Sequence, residues 1–192
     1  MPNPHGSTDT DRSSPTRSAP IGEASLRRHP QAGVDHVIAK PLGRRDTTLF
    51  RGGASYGGYM IDWMLGHTEA RFPRLRLHAG VYDLPSMYGA KGGAMVSRWE
   101  FEGAPWENPE LYDKLSPSRY VEKFKTPTLV VHGQTDFRVP VTQGMQLFTA
   151  VQERGVPSEF LYFPDEGHWV LKPRNSVKWH ETVLGWLNRW RR

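Results

Sequence analysis

A serine flanked by glycines, in the run Gly53-Ala54-Ser55-Tyr56-Gly57, constrains the local fold more than any other feature of this sequence. A further glycine, Gly58, follows at once. The G-x-S-x-G spacing is typical of a serine held on a sharp turn between a strand and a helix. The backbone is crowded in such a turn, so the residues two before and two after the serine must be small. The pentapeptide therefore predicts a strand before Ser55 and a helix after it.

From about residue 47 onwards, strand-like and helix-like patterns alternate along the chain. The predicted strands are Thr47–Phe50, Leu75–Val81, Thr128–Val131 and Phe160–Phe163, and the predicted helices carry the apolar stripes Met60, Ile61, Met64 and Leu65, then Val141, Met145, Phe148 and Val151, then Val177, Leu184, Leu187 and Trp190. The run Thr128–Val131 is continuous and β-branched, as buried central strands of parallel sheets are. Strands that alternate with helices imply a parallel sheet covered on both faces, so we predict an α/β fold.

Residues 1–46 differ in composition from the rest of the chain. They contain no aromatic residue, so the 8 Phe, 7 Trp and 7 Tyr residues all lie downstream. A segment this poor in apolar side chains cannot bury enough surface to offset the entropy lost on ordering. We therefore predict a disordered arm over residues 1–46 and a domain over residues 47–192. An irregular arm packed on the domain is the alternative.

The composition also excludes several kinds of site and partner. The chain has no cysteine, which excludes disulfide bonds, thiol catalysis and cysteine-ligated zinc, and no His-Glu-x-x-His spacing points to another metal site. The net charge of +5 is spread without a dense basic stripe, so we do not expect nucleic-acid binding. Because no apolar run reaches the length of a membrane span and no secretory signal pattern is present, we expect no membrane partner. The sequence favours a cytoplasmic location and leaves the compartment open.

Two acid–base residues follow the serine, each just after a predicted strand. Asp136 comes after the strand Thr128–Val131, and His168 comes after the strand Phe160–Phe163. Because the carboxyl ends of parallel strands meet at one edge of a sheet, we expect both residues to lie near the turn of Ser55. Serine is a weak nucleophile that needs a base within hydrogen-bond reach and an acid to orient that base. The order predicts Ser55 as nucleophile, Asp136 as orienting acid and His168 as general base.

Alternative interpretations of these residues stay open at the level of sequence. Asp136 could cap the helix that follows it, and His168 could be a surface histidine. Asp83 ends the preceding strand and is the strongest rival for the orienting acid. His132 lies too close to its strand to reach the serine. His180 falls among apolar residues of the terminal helix, which predicts a packing role.

An oxyanion formed at the serine would need two hydrogen-bond donors. The backbone N–H of Tyr56 is the first candidate, because this residue directly follows the nucleophile. The second donor normally comes from a loop after an earlier strand, and no such strand is recognisable in the sequence before residue 47. The loop-rich stretch 83–120 carries Trp99, Phe101 and Trp106. These aromatic residues either line a substrate pocket or belong to the core and a lid.

A set of short motifs between residues 52 and 190 carries a resemblance to a known family. The motifs are Gly53–Met60, Gly80–Asp83, Trp106–Pro109, Ser116-Pro117, Thr126–Val130, His132-Gly133, Asp136–Pro140 and Phe163–His168. On these residues the chain resembles the carboxyl-terminal part of a prolyl oligopeptidase family catalytic domain, in its bacterial dipeptidyl-peptidase and acylaminoacyl-peptidase branch. The resemblance implies the α/β-hydrolase fold, with this chain holding its carboxyl-terminal portion.

The resemblance also implies an activity. Family members hydrolyse short peptides through an acyl-enzyme, which gives Ser55, Asp136 and His168 the triad roles and implies no cofactor and no metal. They carry a β-propeller and earlier sheet strands that this sequence lacks, so we expect a truncated or rearranged product. One alternative is an inactive fragment that acts at most as an interaction module and self-associates through an exposed sheet edge. A carboxylesterase-like serine hydrolase with the same triad is the other alternative.

Overall fold

The computed structural model describes residues 51–68, 75–90 and 101–190. Its strands are β1 (Arg51–Ala54), β2 (Leu75–His78), β3 (Thr128–Gly133) and β4 (Ser158–Phe163). Its helices are α1 (Tyr56–Leu65), α2 (Leu84–Tyr88), α3 (Pro109–Leu115), α4 (Val141–Glu153) and α5 (Pro173–Arg189), with a 3₁₀ helix at Pro117–Lys123. The predicted arm over residues 1–46 and the predicted strand Thr47–Phe50 lie outside the described residues. No helix in the described ranges is long and apolar enough to cross a membrane.

The four strands form one sheet in the order β1-β2-β3-β4, and every neighbouring pair is parallel. The central strand β3 is buried along its whole length. Its side chains alternate between two cores, as the period of two residues in a strand requires. Val130 packs in the core that contains residues of α1 and α4, whereas Leu129 and Val131 pack with residues of α5. Helices therefore cover both faces, and the predicted α/β fold is confirmed.

The buried face of α5 differs from the predicted stripe. Val177 and Leu184 are 58% and 59% exposed, so the prediction that they face the core is wrong. Val183 and Trp186 are buried instead, and they lie on the same side of the helix as Trp179, Leu187 and Trp190. The large tryptophan rings remove more apolar surface from water than the aliphatic side chains do, and their spacing sets the rotation of the helix.

The buried face of α4 also departs from the predicted stripe. Met145 is 43% exposed, and Gln143 is buried in its place beside the predicted apolar residues. The Gln143 side-chain oxygen accepts hydrogen bonds from the backbone N–H groups of Tyr82 at 2.9 Å and Asp83 at 2.8 Å. A buried amide is stable when it is hydrogen-bonded in this way, and hydropathy alone does not reveal such a partner.

Candidate active site

Ser55 lies on a sharp turn between β1 and α1, where the pentapeptide predicts it. Its backbone has φ 56° and ψ −120°, a conformation that non-glycine residues rarely adopt. The Ser55 N–H donates to the carbonyl of His78 at 3.0 Å, and the Tyr59 N–H donates to the Ser55 carbonyl at 2.9 Å. The turn is thus held from both sides by backbone hydrogen bonds. Strain of this kind persists where the surroundings over-determine it, and functional sites are where it is concentrated.

The structure leaves no room for a side chain at Gly53 or Gly58 but leaves room for one at Gly57. A Cβ atom on Gly53 would lie 2.1 Å from the carbonyl oxygen of Gly57, which no side chain tolerates. A Cβ atom on Gly57 meets nothing within 4 Å, so the expectation that space forces a small residue there is wrong. The neighbouring Gly58 is the crowded position, because its Cβ would lie 2.6 Å from the Cα of Gly80. Gly58 lets α1 pack directly on the segment after β2.

Asp136 and His168 are joined by a hydrogen bond of 2.8 Å between Asp136 Oδ2 and His168 Nδ1. The other oxygen of Asp136 accepts the backbone N–H groups of Arg138 at 2.9 Å and Val139 at 2.8 Å. These bonds close the turn after β3, while α4 is preceded by Pro140 and has no side-chain cap. The alternative that Asp136 caps that helix is therefore wrong. The Asp136 side chain is fully buried, and that of His168 is 16% exposed.

The charge state of this pair follows from its surroundings. Burial acts to raise the pKa of Asp136, but hydrogen bonds from His132, His168 and the Val139 N–H outweigh burial and lower the pKa to about 2. Asp136 is therefore a carboxylate at neutral pH and can only accept hydrogen bonds. The proton in the Asp136–His168 bond must then sit on His168 Nδ1, which leaves Nε2 as the basic nitrogen of the ring.

The sheet brings Ser55 to the same edge as this acid–base pair. Ser55, Asp136 and His168 follow β1, β3 and β4, which run parallel in one sheet. The Gln134 N–H donates to the carbonyl of Phe163 at 2.8 Å, so the β3–β4 pairing continues into the loops that carry Asp136 and His168. Within the described ranges, the His168 ring hydrogen-bonds to Asp136, and no hydrogen bond joins it to Ser55 Oγ.

Comparison with known proteins identifies the family. A sequence model of the prolyl oligopeptidase family matches residues 30–192. The chain belongs to the prolyl oligopeptidase family. The match begins at residue 30 and so includes the last part of the segment 1–46, which is predicted to be a disordered arm and holds none of the family motifs. That part of the chain lies beyond the described residues, and the domain boundary near residue 47 stays a prediction.

Relatives within the prolyl oligopeptidase family carry peptidase names. The chain is 42% identical over 142 residues to dipeptidyl-peptidase 5 of Porphyromonas gingivalis, covering 72% of this chain and 21% of that protein. It is 43% identical over 136 residues to dipeptidyl-peptidase 5 of Schizosaccharomyces pombe, covering 70% of this chain and 20% of that protein. The chain thus spans about a fifth of the length of the curated relatives it matches.

A solved structure from Pyrococcus horikoshii shares the fold. The uncomplexed acylaminoacyl peptidase of that organism superposes with a TM-score of 0.86 at 25% identity, covering 97% of this chain and 31% of that chain. This similarity and the parallel sheet flanked by helices confirm the predicted α/β-hydrolase fold. The family membership predicted from the motifs is confirmed as well.

Asp83 and His180, which the sequence offers beside Asp136 and His168, make contacts elsewhere in this prolyl oligopeptidase domain. Asp83 caps α2, accepting the Ser86 N–H at 2.9 Å and the Ser118 hydroxyl at 2.7 Å. Neither contact involves His168, so the structure does not support Asp83 as its orienting acid. His180 is exposed, and its Nδ1 lies 2.7 Å from a backbone carbonyl of its own helix, so the predicted packing role is wrong. Among the described residues, no group of three or more His, Cys, Asp or Glu side chains could hold a metal ion.

His132 takes part in the site in a way that sequence reasoning missed. It is fully buried, its Nε2 lies 2.8 Å from the carbonyl oxygen of Val139, and the same nitrogen lies 3.5 Å from Asp136 Oδ2. A carbonyl only accepts, so Nε2 carries the proton and donates it to Val139, with the Asp136 carboxylate beside the same N–H. Room for the ring exists because Gly144 faces it, where a Cβ would lie 2.6 Å from His132 Nδ1. The available signal was the spacing of four residues between His132 and Asp136 across the strand end.

The aromatic residues of the 83–120 stretch separate into two groups. Phe101 is buried and packs against Tyr112 with a centroid distance of 4.9 Å, so it belongs to the core. Trp106 is 72% exposed and meets the edge of Tyr88 at 5.3 Å. Trp99 lies outside the described residues. The pocket hypothesis therefore stays a prediction, and of the two described residues only Trp106 is available to solvent.

Proposed function

We propose that the chain is a serine-type peptidase domain that hydrolyses short peptides through an acyl-enzyme. The observation that carries the proposal is the buried Asp136–His168 hydrogen bond, set at the same sheet edge as the strained turn of Ser55. Membership of the prolyl oligopeptidase family and the peptidase names of the relatives support it. A carboxylate, an imidazole and a serine that follow parallel strands of one sheet supply the groups that acyl transfer requires.

In the proposed reaction, His168 Nε2 accepts the proton of the Ser55 hydroxyl as Oγ attacks the carbonyl carbon of the peptide bond. The backbone N–H of Tyr56 donates to the oxyanion of the tetrahedral intermediate. His168 then gives its proton to the leaving amine, the C–N bond breaks, and an ester to Ser55 remains. Water attacks that ester with His168 again as base, releasing the acid and restoring the hydroxyl. Throughout, Asp136 stabilises the imidazolium and fixes its tautomer.

A fluorophosphonate probe tests the nucleophile directly, because it reacts with an activated serine and needs no knowledge of the substrate. We expect the purified 192-residue chain to be labelled and Ser55→Ala to abolish labelling. Ser158→Ala is the matched control, since Ser158 lies at the amino end of β4, and Ser55 follows the carboxyl end of β1. Asp136→Asn should slow labelling by about a thousandfold or more, because the imidazole loses its orienting carboxylate. Absence of labelling in a sample that circular dichroism shows to be folded would refute the proposal.

Substrate class is tested on the same samples. The relatives are named dipeptidyl-peptidases, so dipeptide p-nitroanilides are the first substrates to try. We expect their hydrolysis to depend on Ser55 and to exceed that of p-nitrophenyl esters relative to the uncatalysed rates. Hydrolysis of the esters alone would support a carboxylesterase-like enzyme instead. Size-exclusion chromatography of a folded but unlabelled sample tests the remaining alternative, an inactive module that self-associates.

A further inference from the structure

Glu166 ties together both ends of the loop that carries His168. It is 4% exposed and lies two residues before the histidine. Its carboxylate accepts the backbone N–H of Leu171 at 3.1 Å and that of Lys172 at 2.9 Å, on the far side of the histidine. The side-chain amide of Asn175, on α5, donates to the same carboxylate at 2.8 Å. One buried side chain thus closes the loop around His168 and fastens it to a helix.

The backbone of Glu166 is bonded to the loop that carries the acid. Its carbonyl accepts the Thr135 N–H at 3.0 Å and the Thr135 hydroxyl at 2.8 Å, and Thr135 directly precedes Asp136. The two loops are packed closely there, because a Cβ on Gly133 would lie 2.4 Å from the Glu166 carbonyl oxygen. Glu166 therefore contacts both of the loops whose side chains must meet.

We propose that Glu166 is a positioning residue that holds His168 Nδ1 against Asp136, through a latch formed by Glu166, Thr135, Leu171, Lys172 and Asn175. The catalytic part of this inference rests on the proposed function. The latch explains why a buried carboxylate is present next to an acid–base pair that it does not touch. Burial alone would disfavour such a charge, but here each carboxylate oxygen accepts from an N–H donor. Those hydrogen bonds outweigh burial and the nearby Asp165 charge and lower the pKa of Glu166, so the latch is ionised at neutral pH.

Replacing the Glu166 carboxylate by an amide separates its role as a hydrogen-bond acceptor from the space that its side chain fills. Glu166→Gln keeps the size of the side chain and one acceptor oxygen. Its NH₂ group, however, would face one of the backbone N–H groups that the carboxylate now accepts, and two donors cannot pair. The loop must then shift locally around His168. Displacement of a catalytic base by about 1 Å can lower a rate by about a hundredfold.

The experiment compares Glu166→Gln with Asp165→Asn in the 192-residue chain. Asp165 is the matched control, because it also accepts from Asn175 but is exposed and bonds to no backbone N–H of Leu171 or Lys172. We expect Glu166→Gln to lower kcat for a dipeptide p-nitroanilide by between about ten- and a hundredfold with KM within about twofold. Asp165→Asn should leave both constants within about twofold.

A spectroscopic measurement reports the latch without requiring activity. In the wild-type protein, the His168 Nδ1–H bonded to Asp136 should give a low-field proton resonance, assigned by its loss in His168→Gln. We expect Glu166→Gln to abolish or broaden this resonance and Asp165→Asn to retain it. If Glu166→Gln does not fold, Thr135→Val tests the same latch from the other loop, since it removes the hydroxyl bond to the Glu166 carbonyl. That variant should weaken the resonance and lower kcat by about two- to fivefold.

The outcomes distinguish this inference from the proposed function. An inactive wild-type chain whose resonance depends on Glu166 would refute the peptidase proposal and support the latch. An active chain whose Glu166→Gln variant folds and keeps the wild-type kcat and resonance would overturn the latch and leave the peptidase proposal standing. Equal losses of kcat and of the resonance in Glu166→Gln and Asp165→Asn would also overturn the latch. The effect would then come from negative charge near the loop and not from the hydrogen bonds that the Glu166 carboxylate accepts from backbone N–H groups.

Discussion

Asp62 should make the stability of this domain fall as the pH rises. The residue lies on α1, is fully buried, and neither carboxylate oxygen has a hydrogen-bond partner among the described residues. One oxygen is close to the segment after β2, since a Cβ on Gly80 would lie 2.7 Å from it. Burial raises the pKa of Asp62 well above its usual value of 3.8. An unpartnered carboxyl in this environment is held in its neutral form.

The sign and size of the effect follow from proton linkage. The unfolded chain ionises Asp62 near pH 4, whereas the folded chain keeps the proton, so unfolding releases one proton at any pH between the two pKa values. The free energy of unfolding then falls by about 1.4 kcal/mol for each pH unit in that window. The stability is fully retained below the unfolded pKa and is lost progressively above it. Tyr82, whose pKa is raised to about 12 chiefly by burial, does not titrate in this window.

Urea unfolding of the wild type and of Asp62→Asn, followed by circular dichroism between pH 5 and pH 7, measures this slope. At pH values below the folded pKa of Asp62, we expect the stability of the variant to rise relative to that of the wild type by about 1.4 kcal/mol per pH unit, because asparagine has no proton to release. The difference in unfolding free energy between the two proteins at pH 5 does not test the reasoning, because the asparagine amide also lacks hydrogen-bond partners at this position. Only the change of that difference with pH does. Asp165→Asn is the control: Asp165 is exposed and already ionised at pH 5, so its difference from the wild type should not change with pH. Parallel curves for wild type and Asp62→Asn would refute the reasoning.

Three further predictions concern packing and charge. Gly58→Ala should destabilise the domain by about 1–3 kcal/mol, because its Cβ meets a backbone Cα at 2.6 Å, whereas Gly57→Ala should be tolerated; thermal unfolding compares them. Trp186→Ala should cost about 3–5 kcal/mol in urea unfolding, and Leu184→Ala, on the exposed face, less than about 1 kcal/mol. The pKa of Asp136 is lowered from 3.8 to about 2, which contributes about 2 kcal/mol to the free energy of unfolding above pH 4. This contribution should be lost as the pH falls from 4 to 2, and Asp136→Asn should lack it at every pH.

The sequence predicts the parts of the site that depend on strand order. The continuous, β-branched run Thr128–Val131 predicts a buried strand, and parallel strands place the residues that follow them at one edge of the sheet. This rule predicts that Asp136 and His168 lie close together, and the structure joins them by a hydrogen bond of 2.8 Å. The turn at Ser55 was predicted from its flanking glycines. The positions of these residues can be predicted because each depends on backbone geometry over a few residues.

The features that escaped prediction depend on contacts between distant segments. The rotation of α5 is set by Trp186, and the burial of Gln143 is set by the backbone of a segment some sixty residues earlier. Gly57 and Gly58 cannot be told apart in sequence, because what distinguishes them is the approach of Gly80. Asp62 is the one charged residue of α1, and the energetic cost of burying it becomes visible only when the structure shows that neither of its oxygens has a hydrogen-bond partner among the residues it describes.

The candidate site is built from two strand pairs with separate supports. Ser55 is strained by its turn and bonded to the end of β2, so its geometry belongs to the β1–β2 pair. Asp136 and His168 are held by the loops of β3 and β4, which Glu166 and Thr135 join. A change in one pair can therefore spoil the site without disturbing the other. Loss of Glu166 should leave Ser55 in its strained conformation but without an aligned base, and the nucleophile would then lose its reactivity while its backbone stays intact.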